Sequence, residues 1–260
     1  MGKVIVTTGR KSSAQSIGMA RQAAEILHCQ FIERQQESVE KLKEITGAEV
    51  VLVAKNKQYI LYTDQGELFF HPSMAHLRVK NLRLGIKDHL IEAMGLKPGM
   101  SVLDCTMGMG ADAIVASYVA TASGRVTALE ISPAVALVIG YGMRHLTAEN
   151  YDIHDAMRRI EIVNIDYLTY LRKLPDKSFD IVYFDPMFRH PLESSSNLKP
   201  LRPVSDHTAV SLEAIMEARR VARKKIVLKE NSRSLEFSRL GFTIMKGGKY
   251  SRVRYGIIEF

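Results

Sequence analysis

Ser101-Val102-Leu103-Asp104-Cys105-Thr106-Met107-Gly108-Met109-Gly110 is the stretch on which the fold turns. A short apolar strand ends in an acid, runs into two closely spaced glycines and is followed at once by helix-compatible residues 111–120. A strand end, a glycine-rich bend and a helix N-terminus therefore coincide, which is where parallel α/β sheets bind cofactors. Glycine lets backbone come close to a ligand with no Cβ in the way, and it tolerates the positive φ of a tight bend. Outward from this stretch, strand and helix patterns alternate at regular spacing. Strands are expected at 101–104, 125–130, 160–164, 179–184 and 225–229, with helices near 111–120, 133–146, 167–171 and 208–221. That order predicts a parallel sheet covered on both faces. Two strand-like runs, 242–245 and 250–258, flank Gly247-Gly248 and predict a closing hairpin, hence an antiparallel terminal strand.

Upstream, residues 1–73 read as a small α/β domain. Its strands are expected at 4–7, 49–53, 59–62 and 67–70, and its helices at 14–27 and 36–45. The proline-free stretch 74–94 reads as one helix joining this unit to a larger domain spanning 74–260, and it stops at Gly95-Leu96-Lys97-Pro98-Gly99. With 260 residues, 46% of them hydrophobic, the chain can bury a substantial core. Two cysteines, Cys29 and Cys105, are too few for a disulfide framework and lack zinc-site spacing. The run Val4-Ile5-Val6, soon followed by Arg10 and Lys11, is too short for a signal peptide or a membrane span. A cytoplasmic protein without a membrane partner is the expectation. A net charge of +8 and a pI near 9.4 favour anionic partners such as nucleic acid.

The spacing Gly108-x-Gly110-x-x-Ala113 also meets a loose dinucleotide fingerprint, so alone it admits nicotinamide cofactors as well as S-adenosylmethionine. Two further acids narrow it. Glu130 closes the second strand, where a carboxylate can accept hydrogen bonds from both ribose hydroxyls of an adenosine. Asp166 follows the third strand, where a side chain would lie beside the adenine edge. Any one of these acids, taken singly, is more simply a helix N-cap or a solvated loop residue. Asp104, ahead of the glycines, would repel a pyrophosphate but attract a sulfonium and an ammonium group, which favours S-adenosylmethionine. Cys105 and Met107 read as packing beneath the loop.

The apolar strand Phe179-Asp180-Ile181-Val182-Tyr183-Phe184 ends in Asp185-Pro186-Met187-Phe188. This resembles the Asp/Asn-Pro-Pro-aromatic motif of methyltransferases that modify the exocyclic amine of a nucleobase, with Met187 in place of the second proline. The lone pair of such an amine is delocalised into the ring and is a poor nucleophile. Asp185 and the carbonyl of Pro186 can accept hydrogen bonds from it, favouring a tetrahedral nitrogen and stabilising the charge that develops on attack. Phe188 can stack on the base, a contact worth about 1–3 kcal/mol. The plain alternative is an ordinary turn with Asp-Pro as punctuation. The polar segment 189–200, with Arg189 and His190 at its head, has the character of a substrate-covering loop. His71, His76 and His89 lack metal-ligand spacing, and no metal is expected.

Four segments together resemble the RsmJ-type small-subunit ribosomal RNA methyltransferases. They are Met74-Ala75-His76-Leu77-Arg78-Val79-Lys80, Asp104-x-Thr106-x-Gly108-x-Gly110-x-Asp112, Leu129-Glu130-x-x-Pro133 and Asp185-Pro186-Met187-Phe188. The likeness runs from Met74 to the C-terminus. It implies an α/β class I S-adenosylmethionine-dependent fold, Rossmann-like, with a mostly parallel seven-stranded sheet. It also implies Thr106, Asp112 and Ile131 as cofactor contacts beside Asp104, Gly108, Gly110, Glu130 and Asp166, and a guanine amine in ribosomal RNA as substrate. The family follows Asp-Pro-Met-Phe with proline and histidine, whereas here Arg189-His190-Pro191 stands, so the substrate-facing loop departs from the pattern. Basic residues suited to RNA fall at Arg78, Lys80, Arg83 and Lys87, and at Lys246, Lys249, Arg252 and Arg254, interleaved with Tyr250 and Tyr255. The N-terminal Thr7-Thr8-Gly9-Arg10-Lys11-Ser12-Ser13 precedes a helix and can take a phosphate, giving the first domain a role in RNA docking. Each basic set reads equally as a solvated face. Competing readings are a methyltransferase for a small molecule or protein, a nicotinamide oxidoreductase and a non-catalytic RNA-binding protein; a homodimer is compatible with all of them.

Overall fold

The computed structural model describes residues 2–146, 151–186, 196–248 and 251–260. The chain divides into two compact units that interleave in sequence. The first comprises Met1–His71, Ser132–Leu146 and Leu192–Asp206, and the second Pro72–Ile131, Thr147–Pro191 and His207–Phe260.

The first unit runs β1 (Val4–Thr8), α1 (Ala14–Ile26), β2 (Gln30–Phe31), α2 (Val39–Thr46), β3 (Val50–Lys55), β4 (Gln58–Thr63) and β5 (Gly66–Phe69). The sheet order is β2-β1-β3-β4-β5. β1 is parallel to both neighbours, while β3, β4 and β5 form an antiparallel meander. Residues 4–6 of β1 and 50–54 of β3 are continuous apolar runs because these central strands are buried on both faces. Ile5, Val51, Leu52 and Val53 are fully buried. α1 starts at Ser13 through a reciprocal capping box with Ser16, which satisfies two backbone N–H groups that would otherwise lack partners. A two-residue strand, β2, goes beyond the expected elements.

Two segments distant in sequence complete this unit. The helix Pro133–His145 packs on β4. The Tyr141 ring meets Tyr59 edge-on at 4.7 Å between centroids, and Gly142 lies so close to Phe70 that a Cβ there would fall 2.3 Å from the Phe70 Cβ. A cut of the sequence at 73/74 assigns this helix to the other domain. Residues Ser196–Val204 form a 3-10 helix whose Leu201 and Val204 are buried, and Thr63 donates a hydrogen bond to the Pro200 carbonyl at 3.4 Å. Pro200, the last residue of the expected substrate-covering loop, is thus buried in the first unit, while Lys199 before it is exposed.

The second unit runs α3 (Ser73–Arg83), α4 (His89–Met94), β6 (Ser101–Asp104), α5 (Ala111–Ala120) and β7 (Arg125–Glu130). The chain then leaves for α6, the Pro133–His145 helix of the first unit. It returns as α7 (Tyr151–Arg158), β8 (Ile160–Asn164), α8 (Tyr167–Lys173), β9 (Phe179–Phe184), α9 (Leu212–Val221), β10 (Ala222–Asn231), α10 (Glu236–Arg239), β11 (Ile244–Lys246) and β12 (Val253–Glu259). The seven strands lie in the order β11-β12-β10-β9-β6-β7-β8. β8, β7, β6, β9 and β10 are mutually parallel, and β12 is inserted antiparallel between β10 and β11. This is the expected doubly wound, Rossmann-like sheet with an antiparallel terminal strand. Its core gathers Leu103, Leu129, Phe179, Val182, Phe184, Ile226 and Leu228, each at 0–1% exposure. Burying a side chain of the size of Phe184 contributes about 1.5–3 kcal/mol. Connections leave β6 in one direction and β9 in the other, so the switch point of the sheet lies between their carboxyl ends.

The single helix expected over 74–94 is two. α3 ends at Arg83, Gly85 takes a left-handed φ of +77°, and Asp88 starts α4 by accepting the N–H groups of Leu90 and Ile91 at 3.0 and 3.2 Å. An aspartate inside a helical pattern competes for backbone donors and opens a new helix. α7 and α10 were not expected either.

Candidate active site

The switch point brings the two motif-bearing strand ends side by side. β6 and β9 pair with Asp104 opposite Tyr183, which leaves the residues that follow each strand as neighbours. The Asp185 backbone N–H donates to the Thr106 hydroxyl at 2.6 Å, tying the acid of the Asp-Pro turn to the glycine loop. Gly108 and Gly110 have φ of +51° and +75°, a region that disfavours any side chain. The loop closes on itself through Gly110 N–H to the Met107 carbonyl at 2.8 Å and on β7 through Met107 N–H to the Leu129 carbonyl at 2.8 Å.

Asp104 is 2% exposed and accepts the Thr106 N–H at 3.0 Å. Burial pushes its carboxyl up to about 8, against that hydrogen bond and with the help of the charges on Asp112 and Asp185. Glu130 is buried at the end of β7 and accepts the Gly108 N–H at 3.0 Å. Ile131 beside it is 43% exposed. Asn164 of β8 donates to the Glu130 and Ile131 carbonyls at 2.7 and 3.1 Å. Asp166 gives its Oδ1 to the N-terminus of α8, receiving the Thr169 N–H and hydroxyl, each at 2.8 Å. The simpler N-cap role therefore holds for that oxygen. Cys105 and Met107 are buried beneath the loop, where burial raises the thiol well above its ordinary value.

Asp112, in the first turn of α5, is the centre of an ion-pair chain. Its Oδ2 receives Tyr183 OH at 2.7 Å and Lys229 Nζ at 3.0 Å, and its Oδ1 pairs with Arg78. Arg78 turns its other donors to Asp88, Nε at 2.7 Å and Nη2 at 3.0 Å. Lys229 also reaches Asp185 Oδ2 at 2.7 Å. The order is Asp88, Arg78, Asp112, Lys229, Asp185. Burial alone would raise Asp112, but Lys229 and Arg78 outweigh it and hold the carboxyl well below its ordinary range. For Asp185 burial wins, so its carboxyl lies above the ordinary range despite Lys229, with the Asp112 charge adding to the rise. Burial works against the charge on Lys229, yet Asp112 and Asp185 keep the ammonium firmly protonated.

Arg78 is therefore not on a solvated basic face. Its side chain is only 20% exposed, and both of its partners are carboxylates of the second unit. Lys80 and Arg252 are exposed. Phe188, Arg189, His190 and Lys249 lie outside the described residues. Lys229 was missed from the sequence, although a cation closing the apolar run Ile226-Val227-Leu228 is the same signal as an acid closing β6 or β9. In the parallel register Leu228 faces Phe184, so the next residues, Lys229 and Asp185, meet.

Three aspartates, Asp88, Asp112 and Asp185, share two cations, and Asp104 adds a fourth carboxyl, so carboxyl groups outnumber cations around the glycine loop. That donor set fits a cationic ligand with hydroxyl and amine donors and opposes a pyrophosphate. Among the described residues no group of three or more His, Cys, Asp or Glu is placed to hold a metal ion. Nor is any described helix long and apolar enough to cross a membrane.

Residues 28–253 match the family model described as "Putative SAM-dependent methyltransferase". The Bacillus subtilis protein YpiP is 36% identical over 98% of this chain and 99% of its own length. Ribosomal RNA small subunit methyltransferase J of Shewanella sediminis is 34% identical over 151 residues, 56% of this chain and 57% of that protein. The chain thus matches little more than half the length of that relative. The crystal structure of a SAM-dependent methyltransferase from Neisseria gonorrhoeae superposes with a TM-score of 0.67 over 98% of this chain and 95% of that one, at 16% identity, a likeness of fold.

Proposed function

We propose that this chain, which belongs to the SAM-dependent methyltransferase family, methylates an exocyclic base amine of RNA, with guanine of small-subunit ribosomal RNA as the target. The enzyme is a methyltransferase and S-adenosylmethionine is its cofactor. When bound, the cofactor supplies a methyl group on a positively charged sulfur. Asp104, the backbone of Thr106 to Gly110, Glu130, Ile131 and Asp166 are the residues that would hold it. Their acidity matches its two positive centres and its ribose hydroxyls.

The observation that carries the reading is the Asp185-Pro186 turn at the switch point, bonded through its own N–H to the glycine loop. Asp185 Oδ2 is held by Lys229, whereas Oδ1 has no hydrogen-bond partner among the described residues. One oxygen is thus fixed and the other is left to accept a hydrogen bond from the amine, together with the Pro186 carbonyl. Lys229 orients the carboxylate, and Tyr183 and Arg78 steady Lys229 through Asp112. As the amine attacks, positive charge grows on nitrogen, and acceptors already aimed at it stabilise that charge without reorganising. The methylated nitrogen then loses a proton readily, so no separate strong base is needed. The relation to ribosomal RNA small subunit methyltransferase J supports RNA as the substrate class.

The test is to incubate naked ribosomal RNA, free small subunits and whole ribosomes from a deletion strain with radioactive S-adenosylmethionine, then to map the modified base. Label on a guanine amine in one of these supports the reading. Label on no RNA, with transfer to a small molecule or protein instead, overturns it.

A further inference from the structure

We infer that the carboxyl edge of the first unit's parallel strands is a docking surface for the phosphate backbone of RNA, a step that rests on the reading of the enzyme as an RNA methyltransferase. In the order β2-β1-β3 the chain leaves β1 for β2 through α1 and returns past β1 to β3 through α2. Ligands collect outside the carboxyl ends of strands at such a reversal.

Three connections meet at this edge. Thr8 pairs with Ala54, and Gly9 N–H donates to the Ala54 carbonyl at 3.1 Å, which sets Arg10 and Lys11 beside Lys55, Asn56 and Lys57. The stem of Lys55 lies across Gly9, where a Cβ would come 3.1 Å from the lysine Cγ. Arg34, from the connection after β2, is pinned to the end of β1 by Nη1 to the Thr8 carbonyl at 3.2 Å and Nε to the Glu37 carbonyl at 2.9 Å. Glu40 in the first turn of α2 is within electrostatic reach of Arg34. Arg10, Lys11, Lys55 and Lys57, by contrast, are exposed and make no ion pair among the described residues.

The connections after β1 and β3 carry cations without acids, whereas the one after β2 carries exposed Glu33 and Glu37 on either side of Arg34. There is no acid from Met1 to Ala24, and none from Val50 to Thr63. The first turn of α1 likewise carries no acid, so the positive end of the helix adds to the field. Lys57 sits at the tip of the β3 to β4 turn with φ of +59°, a conformation that favours glycine. Lys57 thus presents an exposed charge at that turn.

The occupant follows from the chemistry. The cations are spread over separate connections rather than converging on one small anion, and exposed Ser12 adds a hydroxyl donor. Backbone phosphates are recognised by such a set. A membrane-docking surface would add apolar side chains to insert, and none of the large exposed hydrophobic residues lies in these connections.

The experiment uses the full chain carrying R10Q, K11Q, K55Q and K57G together, with an in vitro transcript of small-subunit ribosomal RNA as the probe. Binding is followed over a range of salt. Affinity should fall about tenfold or more near 0.1 M salt, and the slope of log affinity against log salt should shrink by about 3, as expected for four lost phosphate contacts. S-adenosylmethionine affinity and the thermal midpoint are read alongside, and K57G alone controls for folding because glycine suits that turn. Unchanged RNA affinity and slope in a folded quadruple variant overturn the proposal even if the wild type methylates RNA. Loss of binding only to anionic phospholipid vesicles overturns it too. If the wild type transfers no methyl group to RNA but its binding falls in the variant, the docking surface stands and the substrate reading fails.

Discussion

The carboxyl ends of β1 and β6 occupy the same position in their two sheets. Each follows a central apolar strand, bends at a glycine and enters a helix. Yet β1 leads into Arg10-Lys11, solvated and cationic, and β6 into Asp104-Cys105-Thr106-Met107-Gly108, largely buried and acidic. Topology supplies an edge that accepts ligands, while the sign and burial of the charge choose between them. The depth of each site also sets how much one residue matters. Solvent and salt weaken each exposed cation to a small share of a sum, whereas a buried carboxylate acts nearly unscreened.

The comparison breaks most sharply if single substitutions at the buried edge have small effects. Asp185→Ala should reduce methyl transfer by about 10³-fold or more while S-adenosylmethionine still binds, read by single-turnover labelling and calorimetry. Unchanged turnover would sink the mechanism. Lys229→Met leaves Asp112 and Asp185 without their shared cation. It should cost about 2–3 kcal/mol of stability in denaturant titration, less than a fully buried pair because the lysine is one-quarter exposed. A loss well under 1 kcal/mol would show that the chain of ion pairs is ornamental.

Asp104 sharpens the contrast through pH. Its folded value, about 8, lies above the ordinary 3.8. The raised value therefore contributes stability that is present below about 4 and is lost as pH rises through 8. A cation beside the carboxyl favours its ionised form, so cofactor binding releases a proton below pH 8. Affinity should accordingly climb with pH through neutrality and level off near 8. Asp104→Asn should flatten that profile, with calorimetry in buffers of different ionisation enthalpy reporting the lost proton. A slope that survives in the variant would assign the titration elsewhere. At the exposed edge a single K11Q should lower RNA affinity only about twofold to threefold at 0.15 M salt, consistent with one screened phosphate contact. A tenfold loss from that one lysine would mean the edge holds a focused anion site and not a diffuse surface.

Much of the second unit is legible in the sequence. The strands 101–104, 125–130, 160–164 and 179–184 lie where the apolar runs place them, because strands of a parallel sheet covered on both faces are rich in apolar residues. Asp104, Glu130 and Asp185 were found by one signal, an acid closing such a run. The role of Asp112 was not legible. Its partners Arg78, Tyr183 and Lys229 are 34, 71 and 117 residues away, and nothing local distinguishes it from a solvated helix acid. Arg78 misled for the same reason, since an arginine that faces two carboxylates reads in sequence like one that faces a phosphate. The break at Gly85 was hidden because the pattern of 74–94 stays helical across it.

By itself the sequence determined the parallel character of the larger sheet, the glycine bend, the acids around it and the cationic turn after β1, since strand, turn and charge signals are written in neighbouring residues. Only the tertiary structure decided that Lys229 joins Asp185 to Asp112, that Arg78 is spent inside the second unit, and that α6 and Ser196–Val204 complete the first. Those facts depend on which strands become neighbours and which apolar faces find each other. Pairing of that kind is settled by burial across the whole chain, and no short window of residues contains it.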